Sequence, residues 1–325
     1  MIAAKQKGGN NPNAVATSPV VKRKKKDTFG RELKSNFLTY LMTLPGVLWY
    51  IIFCYLPMFG IIIAFKEYTP ATGFFGGEWV GFKHIIDFCK SIYFTRTVSN
   101  TLIISLMSLL LSFPAPVILA LLLNEIKSTG FKRVVQTVTY LPHFISTVII
   151  CGMITNFSMR SGLFNTVLGV FGVEARNWLQ EPGAFRWIYV LSGIWQGVGW
   201  GSIIYLAALT NIDPSLYEAA SIDGAGKFRQ VISVTIPSIV PTIVTLFILR
   251  MGGFFSVGSE KILLLYNPTT YETADVISTY VYRKGLLQMN YSYSSAIGLF
   301  NSLINLTLIL ITNKVSKKVS DTSLW

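Results

Sequence analysis

The segment Tyr217-Glu218-Ala219-Ala220-Ser221-Ile222-Asp223-Gly224, followed after nine residues by Val234-Thr235-Ile236-Pro237, is a polar stretch between two apolar runs of membrane length. Its residue types suit mechanical rather than covalent chemistry. Asp213 is a good N-cap and Pro214 suits a first helical position, so a short helix is predicted through Ala219 and Ala220 to a stop at Gly224. Paired alanines let another surface approach the backbone, Glu218 supplies one charge, and Gly224 permits a turn that a Cβ would resist. A second short helix then leads into Pro237. An isolated Glu-Ala-Ala is satisfied by an ordinary amphipathic loop helix; the full spacing between two spans points to a lever pushed by a partner.

Other residues suited to chemistry lie within the apolar runs. Gly193, Gly197 and Gly201 recur every four residues and form a smooth stripe for helix packing. Gly199 nearby is read as adding flexibility. Interleaved with them, Trp195, Gln196 and Trp200 offer indole faces and an amide that could stack on a sugar ring and read its hydroxyls; Trp anchors near an interface are the plainer account. Arg250 is a charge at depth, costing about 2.5 to 3.5 kcal/mol on insertion scales, and either lines a solute path or snorkels to an interface. Asn156, Asn301 and Asn305 are candidates for the same lining or for interhelical hydrogen bonds. No Gly-x-x-x-x-Gly-Lys-Ser/Thr loop occurs, so energy from nucleotide must come from another subunit. Nucleophile-elbow, His-Glu-x-x-His and clustered intramembrane carboxylate patterns are equally missing. The reading is therefore not an enzyme, with no catalytic, cofactor or metal residues; His84 and His143 have no ligand-spaced companions.

The elements that hold these residues follow from composition. Hydrophobic residues make up 51% and charged residues 13% of the 325, with a mean hydropathy of +0.51; soluble domains carry about 25% charged residues. Six runs approach the ~20 residues that cross a bilayer: 38–65, 98–123, 134–157, 185–210, 236–255 and 296–312. The predicted fold is all-α and polytopic, with six transmembrane helices kinked at Pro45, Pro57, Pro114, Pro116, Pro142 and Pro241. Basic residues collect at 22–26, at Lys127, Lys132 and Arg133, and at Lys314, Lys317 and Lys318. The positive-inside rule then puts both termini and the Glu218 loop in the cytoplasm. Residues 1–34 are a basic arm, disordered by composition; 35–313 form the membrane domain with its loop at 211–236, and 314–325 a cytoplasmic tail. The net charge is +13, and its basic cluster at 22–26 abuts the first span, which suits anionic lipid rather than nucleic acid. No cleavable signal peptide is apparent, and Cys54, Cys89 and Cys151 imply no disulfide framework. The connections 66–97, 158–184 and 256–295 are long enough for an external docking surface, and the last is rich in tyrosine.

The spacing Glu-Ala-Ala, three residues, Gly, nine residues, then Val-Thr-Ile-Pro resembles the signature of the membrane permeases of binding-protein-dependent ATP-binding-cassette importers, which have Ile-x-Leu-Pro where this chain has Val234 and Ile236. Leu44-Pro45-Gly46, Trp79-Val80-Gly81-Phe82, Asn100-Thr101-Leu102 and Leu141-Pro142 resemble their carbohydrate-uptake branch, of MalF type and most of all the LplB-type oligosaccharide or polysaccharide permeases. The resemblance covers the chain from about residue 35. It implies a type I importer (MetI-like) fold in a bacterial plasma membrane. It also implies a second permease as heterodimer partner, two copies of a cytoplasmic ATPase holding ATP and Mg, an external solute-binding protein and a sugar substrate. Glu218, Ala219, Ala220 and Gly224 would then couple to the ATPase, with Trp195, Gln196, Trp200, Arg250, Asn156 and Asn301 as path candidates. An amino-acid or phosphate permease, a membrane enzyme and a non-transporting sensor are the alternatives.

Overall fold

The computed structural model describes residues 36–320, apart from Thr72, together with 322–324; the basic arm at 1–34 lies outside the described residues. The chain divides into two units, one ending at Phe59 and the other starting at Gly60. In the first, helix α1 (Phe37–Tyr50) runs through Pro45 and continues in a π turn, Ile51–Tyr55.

The second unit carries α2 (Lys83–Lys90), α3 (Phe94–Met107), α4 (Pro114–Glu125), α5 (Thr129–Tyr140), α6 (Thr147–Ser158), α7 (Leu163–Gly169) and the 29-residue α8 (Pro182–Thr210). It continues through α9 (Pro214–Ile222), α10 (Lys227–Gln230), α11 (Ile236–Met251), α12 (Ser259–Leu265), α13 (Ile277–Tyr282) and α14 (Tyr291–Ser320). Among the described residues the only β pairing is an isolated bridge between Lys66 and Trp79.

Prolines shape these helices. A proline has no N–H to give the carbonyl four residues back. π turns at Ile51–Tyr55, Ser108–Ser112 and Val231–Thr235 precede Pro57, Pro114 and Pro237 respectively. Shifting hydrogen bonds to the fifth residue carries the helix past the missing donor, as where Phe113 N–H donates to the Ser108 carbonyl at 3.3 Å.

Among the described residues four helices are long and apolar enough to cross a membrane: Phe37–Phe65, Phe94–Glu125, Lys227–Met251 and Tyr291–Lys318. A fifth is formed if the pair Thr129–Phe144 and Thr147–Ser158, bent by 101°, counts as one. The run at 134–157 is thus broken rather than merely kinked. Pro142 sits in a 3-10 turn, Ile145 is extended, and the Ser146 hydroxyl caps a new helix by accepting from Ile149 N–H at 3.4 Å. Helix α8 has the length of a span, but its glycines, tryptophans and Gln196 keep it out of this apolar set.

Helix α8 is the spine of the second unit. One core gathers Ile104, Ile150, Ile154, Phe185 and Ile262 near its start; another joins Ala120, Leu123, Tyr205, Leu209 and Ile239 near its end. A third, of Phe88, Ile277, Tyr280 and Ile297, ties α2 and α13 to α14.

Candidate functional site

The predicted loop helix is present as α9. The Asp213 carboxylate accepts from Ser215 N–H at 2.9 Å, which holds its pKa below the usual carboxylate value and keeps the cap charged. At the other end Gly224 has φ +77°, and Ala225 N–H returns to the Ala220 carbonyl at 2.9 Å, closing the helix with a left-handed glycine. Glu218 and Ala219 are exposed and Ala220 half-buried. Ile222 and Phe228 are also exposed, at 87% and 80%. The exposed surface of α9 and α10 therefore offers a charge, one small residue and two large apolar side chains, with Ala220 half-buried behind it.

Behind that face the segment is braced. Tyr217 shares a hydroxyl hydrogen bond with Thr235 at 3.0 Å, and the buried Gln230 amide donates to Ser221 Oγ at 2.9 Å and to the Ala225 carbonyl at 3.0 Å. These bonds tie α9 to the segment that opens α11, whose Ile239 packs with the ends of α4 and α8.

A second feature is a cleft of about 510 Å³ walled by the π turn Ser108–Ser112, α4, α8, α11 and α12. Gln196, Gly193, Gly197 and Gly201 line one wall; Arg250 and Lys261 come from two other elements. Lys261 Nζ donates to the Tyr189 carbonyl at 3.3 Å and lies 5.2 Å from the centre of the Tyr189 ring.

Residues 112–321 match the family model described as the binding-protein-dependent transport system inner membrane component. The chain belongs to that family. It is 42% identical over 305 residues to the polygalacturonan/rhamnogalacturonan transport system permease protein YteP of Bacillus subtilis (strain 168), covering 94% of this chain and 95% of that protein. Identity to Protein LplB of the same organism is 41% over 309 residues, covering 95% and 97%. Among solved structures, a chain of the bacterial alginate ABC transporter in complex with an alginate pentasaccharide-bound periplasmic protein superposes with a TM-score of 0.83 at 43% identity, covering 91% of this chain and 99% of that one. The permease thus has a MetI-like fold, and the sequence resemblance to LplB-type permeases holds across nearly its whole described length.

Within this permease the path candidates separate. Gln196 and Arg250 line the cleft, whereas Trp195 opens on an apolar groove with Trp178 and Trp187. Trp200 stacks on His143, with ring centres 4.6 Å apart and planes 4° from parallel. Asn156 is exposed near the end of α6, and Asn301 buries a side-chain oxygen that has no hydrogen-bond partner among the described residues. Asn305 is structural: it accepts from Phe255 N–H at 2.8 Å and donates to Ser256 Oγ at 3.0 Å, fixing the turn after α11.

The glycine stripe is only partly a packing seam. A Cβ on Gly201 would lie 2.9 Å from Pro116, but one on Gly197 would meet nothing within 4 Å. The tightest approach is at Gly199, where a Cβ would run into the Thr139 carbonyl and the Tyr140 ring. Gly199 is a packing residue rather than a flexible one.

Sequence reasoning missed Lys261, which sits in a stretch read as loop, and the buried carboxylate Asp275. Asp275 takes Arg96 at 2.8 Å, Arg283 at 2.7 Å and the Thr279 hydroxyl at 2.8 Å. The Asn100-Thr101 pair, visible in the sequence only as a motif, belongs to the same network. Asn100 donates to the Glu272 and Asp275 carbonyls, Thr101 Oγ accepts from Ile277 N–H at 3.0 Å, and Arg186 donates to Asn100 Oδ1 at 2.7 Å.

Proposed function

We propose that this chain is the membrane permease of an ATP-binding-cassette importer that admits an oligosaccharide or polysaccharide fragment into a bacterial cell. The observation that carries this is α9: an exposed, capped helix, closed by a left-handed glycine and braced onto α11, in a chain whose relatives include a permease named for polygalacturonan and rhamnogalacturonan. In this reading Glu218, Ala219, Ala220 and Gly224 dock in a cleft of a separate ATPase dimer, which holds the ATP and Mg. Closure of that dimer tilts α9, and the Tyr217–Thr235 and Gln230–Ser221 bonds pass the motion to α11 and α8, switching the cleft between the two sides.

The chain would cross the plasma membrane six times, with α8 and the bent α5–α6 pair completing the apolar four. A span as polar as α8 is tolerated where it faces protein and a water-lined path rather than lipid. Both termini and α9 then lie in the cytoplasm, a placement that the distribution of basic residues supports. A second permease completes the path, and a sugar-loaded binding protein docks outside, by analogy with the alginate transporter and its pentasaccharide-bound periplasmic protein.

Gentle purification from the native membrane tests this. Recovery of a second permease and a Walker-motif ATPase, followed by ATP-dependent oligosaccharide uptake in vesicles containing the binding protein, is the expected result. Uptake of an amino acid or phosphate instead would change the cargo. A chain that purifies alone from several mild detergents would sink the importer reading.

A further inference from the structure

The cleft beside α8 holds two cations. Arg250 comes from the last turn of α11 and Lys261 from α12, and the residues lining the cleft include no aspartate or glutamate. Among the described residues neither cation takes part in an ion pair. Glu260, next to Lys261 in sequence, is exposed and does not line the cleft.

Two cations facing one cleft that has no counter-charge in its lining are costly in a membrane protein, and such charges mark functional sites. The end of a helix eases the cost for Arg250, because the carbonyl end of the dipole favours a cation. Nothing comparable serves Lys261, whose ammonium is held by the Tyr189 carbonyl and ring instead. The α8 wall of the cleft is open: a Cβ on Gly197 would touch nothing within 4 Å, and one on Gly193 would come no nearer than 3.7 Å, to Lys261 Nζ itself. Gln196, on the same wall, makes no hydrogen bond to another described residue and is free to meet hydroxyls. A sugar ring bearing one carboxylate and several hydroxyls fits this set of groups; a neutral hexose leaves both cations unmatched.

We propose that Arg250 and Lys261 together read the carboxylate of a uronic-acid unit as it passes along α8, so that the cargo is an acidic rather than a neutral oligosaccharide. This rests on the oligosaccharide reading above and narrows it. The pair would act as a selective site within the membrane, independent of the binding protein.

The test uses the purified complex of both permeases and the ATPase, without binding protein, so that external selectivity does not enter. Trigalacturonate and its fully methyl-esterified form are compared by ligand-observed saturation-transfer NMR. The acid is expected to bind, and Arg250→Gln or Lys261→Gln to weaken it by about tenfold, the loss of one charge-assisted hydrogen bond, with the ester unaffected. Arg250→Lys and Lys261→Arg should recover most of the binding, which separates charge from folding. Equal binding of acid and ester to the wild-type complex, or equal losses of both in the variants, overturns the proposal. Uptake in vesicles with the binding protein separates the two levels. Wild-type transport of trigalacturonate that survives both Gln substitutions sinks the cation pair alone, whereas failure to transport any oligosaccharide sinks the importer of sugars and the pair with it.

Discussion

The Asn100 side-chain amide donates to the backbone carbonyl of Asp275 at 3.0 Å, joining the early turns of α3 to a loop 175 residues further along the chain. The same loop buries the Asp275 carboxylate completely between Arg96 and Arg283. Removing one partner of a buried ion pair costs about 3–5 kcal/mol, because the other charge is stranded. Asp275→Asn strands two guanidinium groups and is expected to lower the thermal unfolding temperature of the detergent-solubilised protein by several degrees. Asn100→Ala leaves buried carbonyls unpaired and should cost less, about 1–3 kcal/mol. An unchanged unfolding temperature for Asp275→Asn would show that the network does not hold this end of the bundle together.

The difference between what was legible in the sequence and what was not follows from the range of the interactions. Helix α9 was readable to the residue because its start and stop are local: Asp213 and Pro214 at one end, Gly224 at the other, each acting within a few residues. Four of the six predicted runs coincide with long apolar helices among the described residues, because lipid imposes a length. Helix α8 and the Pro142 break were readable only as apolar runs, since whether a proline kinks or ends a helix depends on the neighbours that take up the freed carbonyls. Lys261 and Asp275 gave no signal because their meaning lies in partners far along the chain, Tyr189 for one and Arg96 for the other. The motif Asn100-Thr101-Leu102 was visible as a pattern, but its reason, two side chains holding the loop of Asp275, needed coordinates.

The glycines of α8 make a paired prediction. Gly199 lies against the Thr139 carbonyl, a backbone atom that cannot move without shifting α5, whereas Gly197 faces open space. Gly199→Ala is expected to destabilise the protein by about 1–3 kcal/mol, the usual cost of overpacking. Gly197→Ala should be neutral or slightly stabilising, since alanine is the better helix former by about 1 kcal/mol. Thermal unfolding of the two variants side by side decides it. Equal behaviour would mean that α5 and α8 are not in close contact.

Gly224 tests conformation apart from packing. With φ at +77° and open space for 4 Å around the point a Cβ would occupy, a side chain there meets no clash but must adopt a left-handed backbone, at roughly 1–2 kcal/mol. Gly224→Val is expected to keep the bundle folded while displacing the end of α9, so that ATPase co-purification and uptake both fall. Gly224→Asn, which tolerates this conformation better, should retain more of each. Wild-type coupling in the valine variant would remove the turn from the docking element.

The exposed apolar side chains on this face supply the last test, because they contribute to no core and can be removed without unfolding anything. Phe228 is 80% exposed and Ile222 87%, and Glu218, one helical turn before Ile222, is exposed as well. Large apolar residues at the centre of a docking face carry a disproportionate share of its energy, commonly about 2 kcal/mol or more on truncation. Phe228→Ala is therefore expected to weaken association with the ATPase by more than about tenfold at an unchanged unfolding temperature. Glu218→Lys should weaken it through charge, and more so at low salt. Binding of the purified permease to the ATPase at two salt concentrations measures both effects. A Phe228 variant that binds as tightly as wild type would move the contact to the Glu218 side of α9 and leave the apolar pair to the lipid headgroup region.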